Sequence, residues 1–164
     1  MNRKRLNPLQ LAMGLVFAGG GLILCLGLIL AIIKGLWPAF LPFIQGEMPW
    51  RAGLQPLARA LISVIPDTFY LGAAYALALW GLDLLNDRAS DQTKSARAKE
   101  MGGNLIWAFL AMLVIVPNLL QWISFGEFRF RLNLDRHVFT PLILGVVVLI
   151  YAYRVAHPAR RSEP

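Results

Sequence analysis

Charge is scarce in this chain. Only 15% of its 164 residues are Asp, Glu, Lys or Arg, against about 25% in an ordinary soluble domain. Residues of the AVILMFWYC set make up 57%, above the usual proportion of about 45–50%. A soluble domain of this length cannot hide so much apolar surface, and disordered chains are apolar-poor. Cysteine is nearly absent. Cys25 stands alone, which excludes an internal disulfide, a CxxC redox pair and thiol oxidation of the quinone-linked kind. The two histidines, His137 and His157, fit neither HxxxH nor HExxH spacing, so no zinc-protease signal exists. No Walker loop, GxSxG, triad order or acidic metal motif occurs. The expectation is therefore no catalytic residue, no cofactor, no metal and no enzyme.

What is present is long uncharged runs. A spanning helix needs about 20 mostly apolar residues. Leu9 to Ile33 is an uncharged run of 25 residues that follows Arg3, Lys4 and Arg5. It is too long for a signal-peptide core and no small-residue cleavage site follows it, so it reads as an uncleaved anchor. The second span is expected over 66–85, with Pro66 and Asp67 in its first turn. Residues 56–65 then form a short interfacial or partly re-entrant helix; the alternative is one long helix kinked at Pro66. The third span covers 102–124, entered through a polar start near Asp91 or Thr93 and kinked or ended by Pro117. The fourth covers 138–156, with Arg154 snorkelling toward headgroups.

Four spans place both termini on one side. With the N-terminus inside, ten basic residues fall on the cytoplasmic side and six outside. The net charge of +7 then reports orientation, not a nucleic-acid partner. Trp37, Trp50, Trp80, Trp107 and Trp122 fall near the predicted span ends, as interfacial tryptophans do. The fold class is thus all-α integral membrane: a four-helix transmembrane bundle in one domain, 1–164, N-in and C-in.

The connecting segments carry their own expectations. Residues 34–56 contain Pro38, Pro42, Pro49 and Pro56, a density that argues against a regular helix throughout and for a segment lying on the outer surface. Residues 83–101 hold four acids and four bases, which suits a solvated, helix-capping loop or a docking surface for a cytoplasmic partner. Residues 125–137 alternate, with Phe128, Phe130, Leu132 and Leu134 between Arg129, Arg131, Asn133 and Asp135. Period two predicts an extended strand that needs a neighbour, and the first external segment is the expected one. Together they make a small extended external cap.

Ionisable and polar residues at membrane depth are functional candidates. Asp67 is the foremost, with Arg59 as its possible counter-ion; Asn118 and Gln121 follow Pro117. Asn104 is expected at an interface. Small residues four apart mark close helix approach: Gly14 and Ala18, Gly27 and Ala31, Gly72 and Ala76, Ala74 and Ala78.

Three stretches carry a family resemblance: the basic start before a long span, RAKEMGGNLIWAFLAMLVIV, and FRLNLDRHVFTPLILGVVVLIYAYRVAHPA. In layout the chain resembles the uncharacterised bacterial membrane-protein family catalogued as domain of unknown function 2975. The resemblance implies a small four-span inner-membrane protein and names no activity. It also implies an accessory or regulatory partner encoded beside a small helix-turn-helix regulator. Two readings of function follow. One is a non-enzymatic inner-membrane protein with an accessory, sensory or regulatory role, working through a homo-oligomer or a membrane or cytoplasmic protein partner. The other is a small transporter or channel subunit using Asp67. The bilayer is the expected environment, and nucleic acid is not an expected partner.

Overall fold

The computed structural model describes residues 7–46, 50–126 and 130–157, with the side chains of 50–53 left aside. The basic start at Arg3, Lys4 and Arg5, Pro49, the Trp50 side chain, Phe128, Arg129 and Arg160 with Arg161 lie outside the described residues. Among the described residues six α-helices follow in order: α1 (Pro8–Ile44), α2 (Trp50–Ser63), α3 (Ile65–Leu85), α4 (Asp91–Leu110), α5 (Val116–Phe125) and α6 (Arg136–Ala156). A π turn over Ala111–Ile115 joins α4 to α5. Among the described residues four stretches are long and apolar enough to cross a membrane: Pro8–Ile44, Leu54–Leu85, Asp91–Phe125 and Arg136–Ala156.

The Asn7 side chain caps α1 by accepting the Leu9 N–H at 3.2 Å, and Pro8 occupies the first turn. The helix then continues through Pro38 and Pro42 to Ile44. No single helix runs through 34–56, as the proline density predicts, since α1 ends at Ile44 and α2 begins at Trp50; Pro38 and Pro42 themselves lie inside α1. Pro42 cannot donate to the Pro38 carbonyl, nor Pro38 to that of Lys34. The two defects lie one turn apart on one face, so the other faces keep their hydrogen bonds. Gly46, at φ 70°, closes the end, where the Gln45 N–H donates to Leu41 at 3.0 Å.

The second span is helix, break, helix. α2 begins at residue 50, earlier than the predicted 56, and only Val64 separates it from α3. Pro66 explains the break, since it cannot donate to the Ile62 carbonyl. Ser63 and Thr68 hydroxyls each cap a carbonyl beside it, Ala60 and Ile65, both at 2.7 Å. Asp67 sits in the first turn of α3.

The stretch 83–101 is mostly helix, with a five-residue turn over 86–90 between α3 and α4. Asp87 takes a left-handed conformation at φ 54°, which an aspartate tolerates better than most residues. The Ser90 hydroxyl caps α4 by accepting the Thr93 N–H at 3.2 Å. Its charges pair locally: Arg97 with Asp83 at 3.0 Å and Glu100 at 3.4 Å, and Lys94 with Asp91 at 3.1 Å.

The main packing runs α1 on α3, α3 on α4 and α4 on α6. Backbones meet closely where glycines allow it. A Cβ added at Gly21 would sit 2.5 Å from the Ala78 nitrogen. One added at Gly81 would strike the backbone of Ala18, and one at Gly102 would lie 3.1 Å from the Gly145 carbonyl oxygen. Between lipid-solvated helices such approach supplies the packing that hydrophobicity cannot. Trp80, Leu84, Ala98 and Ala152 form a buried cluster, with Phe17, Met101 and Val148 packed against it. Trp80 is therefore a core residue, with the rings of Phe17 (5.4 Å) and Tyr151 (5.5 Å) tilted against it, and not part of a surface belt. Trp37, Trp107 and Trp122 are exposed.

Ser95 is buried and its hydroxyl donates to the Ala152 carbonyl of α6 at 3.0 Å. Ser95→Ala is expected to cost about 1 kcal/mol, read as a shift in unfolding by detergent titration.

Candidate functional site

Pro117 organises the C-terminal half of the third span. Its missing N–H leaves the Leu113 carbonyl without a helical donor, and the chain widens into the π turn just before it. The Asn133 backbone N–H fills the vacancy, donating to Leu113 at 3.0 Å. Asn118, the residue after the proline, is buried. Its side-chain amide donates to the Arg131 carbonyl at 2.8 Å and to the Val114 carbonyl at 2.6 Å, and its oxygen accepts the Arg131 N–H at 2.9 Å. The Asn118 side chain thus acts toward Arg131 as a strand neighbour would, giving one donor and one acceptor.

This arrangement corrects the predicted cap. Residues 130–135 have no regular secondary structure, and among the described residues no strand forms. Their neighbour is the interrupted backbone of the third span, not the first external segment. The physical reason is that a broken helix offers free carbonyls at a fixed position, whereas 34–44 and 50–56 have used theirs in α1 and α2. The end of the segment 34–56 instead joins the bundle through α2, whose Gln55 amide donates to the Ile123 carbonyl of α5 at 2.9 Å. The rest of the segment's start is also local: the Asn133 oxygen accepts the Asp135 N–H at 3.2 Å, ahead of α6.

Gln121 lies one turn beyond Pro117, 7% exposed, and its Oε1 has no hydrogen-bond partner among the described residues. Asp67 is half-buried and stands apart from it. Phe69 stacks on Trp107 at 6.2 Å, and the Tyr70 hydroxyl donates to the Met112 sulfur at 3.6 Å. Those contacts set the level of α3 against α4, and by the helical rise they place Gln121 roughly 9–18 Å farther along the bundle axis than Asp67. Arg59 is exposed on α2, and no ion pair joins it to Asp67. The four polar candidates therefore do not converge. Asn104 donates to the Glu100 carbonyl at 3.0 Å, and Gly72 packs beneath it, where a Cβ would lie 2.9 Å from the Asn104 side chain.

Of the small-residue pairs, Gly14 and Ala18 are buried against α3. Ala74, Ala76 and Ala78 are buried within the bundle. Gly27 and Ala31 are exposed, and a Cβ at Gly27 meets nothing within 4 Å. Among the described residues no group of three His, Cys, Asp or Glu is placed to hold a metal ion.

Three of the grooves among the described residues bear on the site. One of about 430 Å³ lies between α4 and α6, bordered by Asp91, Gln92 and Lys99. An apolar one of about 260 Å³ lies among α1, α3 and α4, bordered by Leu24, Leu28, Tyr70, Leu77, Met101 and Leu105. A third, of about 240 Å³, combines Asn7, Gln10, Trp80, Lys94 and Tyr151 from four helices. Sequence reading missed the third because its members are 144 residues apart in the chain at the extreme, from Asn7 to Tyr151. It missed the Leu113–Asn133 bond as well, although a proline four residues after Leu113 was the available signal. No protein-family model, curated protein or solved structure matches this chain.

Proposed function

We propose that this chain is a small non-enzymatic protein of a bacterial inner membrane, with both termini in the cytoplasm, that serves as an accessory or regulatory subunit through protein contacts. The observation that carries the reading is how the spans meet. α1 and α3 touch backbone to backbone at Gly21, Ala78, Gly81 and Ala18. α4 and α6 do the same at Gly102 and Gly145. The groove at membrane depth is apolar, and Asp67 is not in its lining. A coupling carboxylate in a transporter needs a polar route to it, and the separation of Asp67 from Asn118 and Gln121 argues against one.

The test uses the full chain in native membranes. Asp67→Asn is expected to leave proton-coupled uptake and drug resistance unchanged, while crosslinking in the membrane yields a stoichiometric complex with another membrane or cytoplasmic protein. Uptake that depends on the Asp67 carboxylate would overturn the reading and favour a small transporter.

A further inference from the structure

The groove containing Lys94 lies between α1 and α6, which pack on α3 and α4 respectively and leave a channel between themselves. Its chemistry is layered. Asn7, Gln10 and Lys94 stand at the end of the bundle where α1 and α4 begin, and Met13 and Trp80 lie deeper. Lys94 has one carboxylate partner, Asp91, at 3.1 Å. An ammonium carries three donors, so two remain, and an exposed pair at this spacing is weak. Gln10 spends one amide hydrogen on the Leu84 carbonyl at 3.3 Å and keeps the other. Trp80 is 8% exposed, and its indole N–H has no hydrogen-bond partner among the described residues. The indole nitrogen itself is not fully buried, and an indole N–H ordinarily finds a polar partner. Trp80 is one turn along α3 from Leu84, about 6 Å deeper.

Donors thus wait at two depths, a cation at the rim and an indole N–H a turn below, with aromatic and aliphatic walls beyond. We propose that this groove binds one anionic glycerophospholipid. Its phosphate sits at Lys94 and Gln10, an acyl-ester carbonyl accepts the Trp80 N–H, and the chain runs past Met13 and Phe17 between α1 and α6. A free phosphate satisfies only the upper layer. A diacyl lipid satisfies both, and the bilayer around the helices supplies it. Basic pockets between spans are a recurrent form of headgroup site.

The experiment reads Trp80 itself. A variant with Trp37, Trp50, Trp107 and Trp122 replaced by Phe is reconstituted into phosphatidylcholine vesicles. These contain a small fraction of lipid with brominated chains, either phosphatidylglycerol or phosphatidylcholine. Quenching is expected to show phosphatidylglycerol enriched about fivefold at Trp80 over its bulk fraction, the scale of one basic residue at a membrane surface. Adding Lys94→Gln is expected to abolish the enrichment. Lys94→Arg keeps it, and so does Lys99→Gln, which lies in the neighbouring groove. No enrichment in the parent, or enrichment that survives Lys94→Gln, would overturn the proposal. Displacement by inorganic phosphate would also overturn it, by making the site one for a free anion.

Discussion

Gly81→Leu is expected to be the most damaging single substitution in this protein. Any Cβ at position 81 meets the backbone of α1 at Ala18 and, at 2.7 Å, the Gly14 carbonyl oxygen. Backbone cannot rotate out of the way as a side chain can, so α1 and α3 must separate along their length. Overpacking in a soluble core costs about 1–3 kcal/mol. Here the loss lies at or above the top of that range, because lipid offers no hydrophobic penalty for parted helices. Detergent-titrated unfolding should show a large fall in stability, with little folded protein recovered. Gly27→Leu is the matched control: same helix type, same added volume, open space around it. If the two variants unfold alike, α1 and α3 do not meet as described.

Asn118→Leu is expected to release the segment before α6. The wild-type amide makes three hydrogen bonds, two of them to the Arg131 backbone. Leucine fills the volume and leaves the Arg131 N–H and carbonyl without partners. Each orphaned group costs about 1–3 kcal/mol when buried; with water reaching the outer end, a total of about 2–4 kcal/mol follows. Amide exchange at Arg131 and Asn133 should accelerate strongly, while exchange in α3 and α4 near Ser95 stays slow. Asn118→Asp should fall between, since a carboxylate still accepts from the Arg131 N–H but gives nothing to its carbonyl. Unchanged exchange at Arg131 in the leucine variant would show that the segment is held by something else.

The spans were legible because length and charge exclusion act locally. Leu9 to Ile33 has to cross a membrane whatever its neighbours do, and of the expected starts near Asp91 or Thr93 the first is where α4 begins. The outer region was not legible, because its logic is relational. Pro38 and Pro42 look like helix breakers in isolation, yet in an apolar run the chain keeps every remaining helical bond rather than strand polar groups. Period two before the fourth span predicts a strand, but 130–135 forms none and is instead held by the third span. That depended on Pro117 freeing a carbonyl at the right height. Gly21 and Gly27 read alike in sequence, and only the register against Ala78 decides which one is filled. The layout behind the family resemblance consists of span spacing and charged span ends, features that any four-span protein shares.

The unequal helices have one last implication. α1 has 37 residues and α6 has 21, about 56 Å and 32 Å of helix. The uncharged part of α1 alone, Leu9 to Ile33, is 25 residues, about 38 Å, whereas the hydrocarbon layer is about 30 Å. One flank of the molecule is tall and the other matches an ordinary bilayer. A flat membrane of uniform depth cannot satisfy both, so the molecule leans or the lipid beside it deforms. Membrane thickness is therefore a physical variable to which this shape responds without any dissolved ligand.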